Sequence, residues 1–185
     1  EMFSLDGIAH SNAVFNNEKL AWYNTEYIRA YPAKRLLPLI QEEWARTGYK
    51  PSRSPDEILA GIALLQQRAR ILQDFATTFQ AYFGDHFATD PAASAKFLAD
   101  AKVREMLAEL GERYATLDLF TEESTEQLLR SFAEEKAIKA GALINGAPVL
   151  LNGQGVAPSL FAVMAYLGKY PVVQRLSAAE TVFPA

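Results

Sequence analysis

Apolar positions recur every three or four residues along most of the chain and alternation of period two is scarce, a pattern that predicts an all-α protein. Asn17 is placed to cap a helix running from Glu18 to about Ala30, because its side chain accepts from orphan amides, and Pro32 stops that helix. A second helix, Ala33 to Thr47, ends at Gly48. Ser54-Pro55-Asp56-Glu57 then supplies an N-cap hydroxyl, a proline at the first helical position and a glutamate able to reach back. From there Ile58, Ile62, Leu65, Ala69, Leu72, Phe75, Phe79 and Tyr82 keep helical spacing up to Gly84, which predicts one long amphipathic helix. Its polar side carries Gln66, Arg70 and Gln73, with Arg68 at the edge.

Residues 84–94 are rich in turn formers and mark the best boundary between two modules. Beyond them, helices are expected from Ala95 to Leu110, extending to Tyr114, and from Thr121 or Ser124 to Ala137. The texture changes between Ala140 and Pro158, where glycines and prolines surround short apolar pieces. Pro158 suits the first turn of a helix from Ser159 to Leu167, and a short terminal helix follows near Val172 to Ala178.

Composition narrows the chemistry. With 185 residues, 50% hydrophobic and 22% charged, the chain is large and apolar enough to build a core. No window approaches the roughly 18 apolar residues of a spanning helix, and the N-terminus lacks the order of a signal peptide, so no membrane partner and a cytoplasmic location are expected. Zero cysteines exclude disulfides and thiolate metal sites, and His10 and His86 are the only imidazoles. Neither has a second imidazole or a carboxylate cluster at ligand spacing, so no metal site is expected. Glu122/Glu123 and Glu134/Glu135 fall on exposed helix faces without an apolar pocket to raise a pKa, a poor setting for acid–base catalysis. Gly153 and Gly155 lack the third glycine, the strand and the Gly-Lys-Ser/Thr of phosphate loops; a helix-entry turn explains them better.

The net charge of −4 is unevenly spread: −3 over residues 1–28, +4 over 29–70 and −5 thereafter. The basic middle reads either as a solvated helix face or as an electrostatic footprint for a phosphate backbone. Trp22 and Tyr23, on a helix with Lys19 and Arg29, read either as core or as an aromatic edge offered to a ligand.

Four segments carry a resemblance. Residues 11–29 (SNAVFNNEKLAWYNTEYIR) resemble the segment following the catalytic lobe of bacterial glutamyl-tRNA synthetases, with an Ala-Val-Phe, a Glu-Lys-Leu and a Trp-x-Asn-x-x-Tyr-Ile in that order. Residues 67–75 (QRARILQDF) are similar to the family's basic helix, and residues 128–139 and 153–168 to its C-terminal signature. The His-x-Gly-His-type and Lys-Met-Ser-Lys-Ser-type motifs of the nucleotide-binding lobe are absent from this chain.

The resemblance implies the end of a stem-contact region (1–32) followed by two helical anticodon-binding modules (33–90 and 91–185), an α-helix cage without catalytic residues of its own. It implies tRNA(Glu) as partner, a catalytic lobe in cis that would use ATP and magnesium, and a monomer; no cofactor is expected in this chain. By residue, it implies that Lys19 and Trp22 contact the tRNA body and that Arg68 reads the third anticodon base, with Arg70 beside it on the basic helix. Ala157, Pro158 and Leu160 match the wall against which the first base lies. Pro148 stands where many relatives carry a basic anticodon-contacting residue after an Ile-Asn-Gly-type turn. The competing expectation, from a different class, is a helical protein-interaction module without RNA binding.

Overall fold

The computed structural model describes residues 16–155 and 157–181, among which there are ten α-helices and no strand. His10 and the first part of the 11–29 segment lie outside the described residues. Helix α1 (Asn17–Ala30) is capped by Asn16, one residue before the expected position, whose Oδ1 accepts from the Lys19 amide at 3.0 Å. Helix α2 (Ala33–Thr47) ends at Gly48, whose φ of +73° is the left-handed conformation glycine adopts without a Cβ penalty. Helix α3 (Pro55–Leu65) starts with the expected reciprocal box: the Ser54 hydroxyl accepts from the Glu57 amide while the Glu57 carboxylate accepts from the Ser54 amide at 2.8 Å.

The long helix expected up to Gly84 does not form. The chain leaves helical geometry after Leu65, turns through 66–68, becomes extended at Ile71, makes a 3₁₀ turn over Leu72–Ala76 and resumes only as the short α4 (Gln80–Phe83). One helix from Pro55 to Phe83 would extend ~43 Å and carry half of its apolar stripe past the core. Folding back instead buries Ala69, Phe75, Tyr82 and Phe83 in the same cluster as Ile62 and Leu65. Side chains brace the folded-back segment: Trp44 Nε1 donates to Phe75 O at 2.9 Å, and the Tyr49 hydroxyl donates to Gln80 O at 2.8 Å beside the Gly84 amide.

A second difference is α5 (Pro91–Phe97) and α6 (Ala101–Ala115), two helices where one was expected, each capped by its own aspartate, Asp90 and Asp100. Helix α7 (Glu122–Glu135) follows the expected course. The third difference is α8 (Ala140–Asn152), which runs straight through the glycine- and proline-bearing stretch. Its Ile144-Asn145-Gly146 is helix, not turn. The low propensity of this segment is outweighed by burial, since a Cβ at Gly146 would already meet Leu107 at 3.0 Å and Leu98 at 3.3 Å. Helices α9 (Leu160–Leu167, capped by Ser159) and α10 (Lys169–Ser177) complete the order, α10 starting earlier than expected and packing closely on α6.

One buried cluster runs from Ile28 to Ala179 across both sides of the irregular 84–90 stretch. Two polar side chains tie these sides together. The Tyr166 hydroxyl on α9 lies 3.1 Å from Glu57 O and 2.9 Å from Tyr82 O, occupying the space left by Gly61. Arg175 on α10, 8% exposed, donates to Ala81 O (2.9 Å), Leu151 O (2.6 Å) and Gly84 O (3.0 Å), with Asp85 at 3.4 Å and the Phe87 ring beneath it.

Candidate nucleic-acid interface

The break after α3 sets the geometry of the candidate site. Asp74 folds back so that its Oδ2 accepts the backbone amides of Arg70 (2.7 Å) and Ile71 (3.2 Å). Asp74 thus caps a turn, and Arg68 and Arg70 sit on that turn rather than on the polar side of one long helix. Both are exposed, and among the described residues neither guanidinium makes a hydrogen bond or ion pair. Helix α1 is latched to the same turn: Arg29 Nε donates to Gln67 O at 3.3 Å, Gln66 Nε2 to Arg29 O at 3.2 Å, and the Thr25 hydroxyl to Arg70 O at 3.4 Å.

Three concavities meet end to end along this side of the molecule. A cleft of about 620 Å³ lies between α1 and the turn, lined by Trp22, Thr25 and Arg29 and closed by Arg68 and Arg70. The same two arginines border a second cavity of about 580 Å³, whose walls include Phe79, Phe97 and Lys96. Gly155 and Pro158 line that cavity and also a third of about 220 Å³, which is bordered by Pro148, Ala157 and Leu160. The fold thus brings Trp22, Arg68, Arg70, Pro148, Ala157, Pro158 and Leu160 onto one continuous track. Lys19 lines none of the three; it is exposed on the first turn of α1 with its ammonium 6.0 Å from the Tyr23 ring.

Trp22 is 58% exposed and packs edge-on to Tyr23 at 5.1 Å, which decides between the two readings of that residue: it is not core. Pro148 is buried within α8 while bordering the third cavity. His86 and the paired glutamates are exposed, and no group of three His, Cys, Asp or Glu could hold a metal ion among the described residues.

The second cavity favours a ligand rich in hydrogen-bond acceptors. Its cations Arg68, Arg70 and Lys96 present only donors, whereas its acids spend lone pairs on backbone amides, Asp74 as described and Asp90 on Ala92 N at 2.9 Å. Its floor holds a pair that the sequence did not single out as functional. Asn152 Nδ2 donates to the Tyr82 hydroxyl at 2.8 Å, and Asn152 Oδ1 accepts from Gln154 N at 2.8 Å. Burial raises the Tyr82 pKa above its ordinary value, opposed by the Asn152 hydrogen bond and the Arg68 charge, so the phenol stays protonated at neutral pH.

Comparison with known proteins gives the family of the chain. The chain is 60% identical over 184 residues to glutamate–tRNA ligase 2 of Koribacter versatilis and 37% identical over 179 residues to the glutamate–tRNA ligase of Syntrophobacter fumaroxidans. These matches cover 98% and 97% of this chain but 38% of each relative, so the chain spans under two fifths of their length. Among solved structures, the glutamate tRNA ligase of Elizabethkingia meningosepticum superposes with a TM-score of 0.78 at 24% identity, covering 98% of this chain and 36% of that one, a likeness of fold. The glutamate–tRNA synthetase of Elizabethkingia anophelis gives 0.72 at 25% identity, covering 96% and 34%. The family described as anticodon binding domain matches residues 26–180, a range holding the broken α3–α4 turn and nearly all of the track, and the chain belongs to that family.

Proposed function

We propose that this chain binds tRNA(Glu) and reads its anticodon as part of a glutamate–tRNA ligase. The observation that carries the reading is the exposed Arg68 and Arg70 pair shared between the Trp22 cleft and the aromatic-walled cavity. Unpaired bases are bound by splaying them onto aromatic and apolar surfaces, and a guanidinium satisfies the O2 and N3 acceptors of cytosine where uracil presents an N3–H. On this reading Lys19 and Trp22 meet the tRNA body, Arg68 meets the third anticodon base with Arg70 beside it, and Pro148, Ala157, Pro158 and Leu160 form the wall for the first base.

The division follows the chain: residues 1–32 as the end of a stem-contact region, 33–90 and 91–185 as two helical modules meeting at the irregular 84–90 stretch. ATP and magnesium chemistry is placed on the part of the ligase that this chain does not span. The residues here do not fit those groups: no metal-ligand cluster converges among the described residues, and Gly153, at φ +76°, ends α8 rather than cradling a phosphate. On this reading the chain is a monomeric, non-catalytic binding part, working in the cytoplasm with a catalytic lobe in cis. No described helix is long and apolar enough to cross a membrane.

The test is titration of the chain with tRNA(Glu) over a range of salt. Binding that weakens steeply as salt rises is expected, because counterions are released at each phosphate contact. A salt-insensitive association, or none, would overturn the reading in favour of a protein-interaction module.

A further inference from the structure

The floor of the second cavity contains a donor with nothing to donate to. Tyr82 is 2% exposed, and its hydroxyl accepts from Asn152, itself 2% exposed, at 2.8 Å. Among the described residues its own proton has no acceptor. The Asn152 carbonyl oxygen is engaged by Gln154 N, and the remaining carboxylates of the cavity cap backbone amides. A phenol at the bottom of a cavity, supported on one side by an amide and left with its proton, is a preset donor for a ligand's acceptor. Arg68 and Tyr82 border the same cavity, so one planar group can meet the guanidinium and the hydroxyl together.

Resting on the anticodon reading, we propose that the Tyr82 hydroxyl, held by Asn152, reads the same base as Arg68 by donating to an acceptor on that base's edge. Arg68 supplies two donors from the rim and Tyr82 a third from the floor. The set matches a pyrimidine carbonyl or ring nitrogen, and a base that turns an N–H toward the floor meets donor against donor. Asn152 acts as the positioning residue, since its amide hydrogen fixes which lone pair of the phenol is used and leaves the proton for the ligand. The Tyr82 ring is held independently by edge contacts with Phe79 (6.1 Å) and a tilted contact with Tyr166 (6.3 Å), so loss of the hydroxyl leaves the ring in place.

The test uses the 185-residue chain, an anticodon stem-loop RNA carrying the glutamate anticodon, and the same RNA abasic at the third anticodon position. The readout is the ratio of the two affinities measured on one protein, which does not depend on what fraction of a variant is folded. Tyr82→Phe is expected to shrink that ratio roughly three- to tenfold, the size of one net hydrogen bond. Asn152→Ala, which frees the hydroxyl to turn, should shrink it in the same direction by less. An unchanged ratio in Tyr82→Phe, or a change found instead with an abasic first or second position, overturns the assignment. Failure of the wild-type chain to bind the intact loop is a different result: it overturns the anticodon reading on which the assignment rests.

Discussion

The carboxylate of Asp74 accepts the backbone amide of Arg70 at 2.7 Å, and that bond, rather than any pairing of charges, decides where two arginines stand. It caps the turn that follows α3, with both guanidiniums left to solvent at the junction of two concavities. Replacing Asp74 by Ala should cost about 1 kcal/mol of stability, as for loss of a helix cap. It should also weaken tRNA binding by more than the fraction unfolded explains. Urea denaturation beside RNA titration checks both, and unchanged affinity in a destabilised variant would show that the turn does not position the arginines.

Arg68→Gln should relax discrimination between anticodons ending in C and in U, because glutamine can offer either a donor or an acceptor. A good base contact is worth about 1–3 kcal/mol. Arg70→Gln should weaken both RNAs about equally. Titrating wild type and the two variants against stem-loops differing only in that base tests the contrast, and equal preference in the wild type would remove the role given to Arg68.

Trp22→Ala removes an exposed ring that borders the α1 cleft. Its stability should move by no more than about 0.5 kcal/mol, as for surface substitutions away from special features, while tRNA affinity falls. A large drop in the thermal midpoint would contradict the exposed placement.

Arg175→Met takes the donors from the carbonyls of Ala81, Leu151 and Gly84 and is expected to cost about 3 kcal/mol, in the range for unsatisfied buried groups. Arg175→Lys should recover little, because a single ammonium cannot span what the planar fork reaches. Denaturant midpoints of the two variants decide the matter, and full recovery by lysine would mean that charge alone matters.

Glu57 gives a pH dependence with a definite sign. Hydrogen bonds from Ser54, first its hydroxyl and then its amide, lower the Glu57 pKa. The folded-state value lies below the unfolded one, so this contribution is complete above the ordinary carboxylate pKa and disappears as pH falls through the lowered value. In Glu57→Gln the loss of stability on acidification should be smaller than in wild type. Thermal midpoints between about pH 3 and 6 measure it, and parallel pH profiles would show that the box adds nothing that titrates.

The elements read correctly from the sequence are those fixed by local chemistry. Ser54 and Glu57 announce the start of α3, and Gly48 the end of α2, within a few residues of chain. The break after Leu65 escaped because the same apolar residues must be buried whether the helix continues or folds back, so the periodicity survives the break. The available signal was Asp74, which can cap backward onto Arg70 and Ile71 as readily as it can pair with a side chain. Helix α8 escaped because Gly146 is explained only by Leu107 and Leu98, distant in sequence. Of the candidate site, Trp22, Arg68 and the 157–160 wall came from the family resemblance. In the sequence Tyr82 belongs to an apolar stripe and Asn152 to the glycine- and proline-bearing 140–158 stretch, and their partnership exists only once residues 70 positions apart meet.

Arg175 also sets an order of events during synthesis. Its acceptors at Ala81 and Gly84 precede it by 94 and 91 residues. At ~5–20 residues per second, those carbonyls are made about 5–20 s before their donor. The carbonyls on either side of Tyr82 keep water as their partner through that interval, so the contact between the two sides of the 84–90 stretch closes only once α10 has been made.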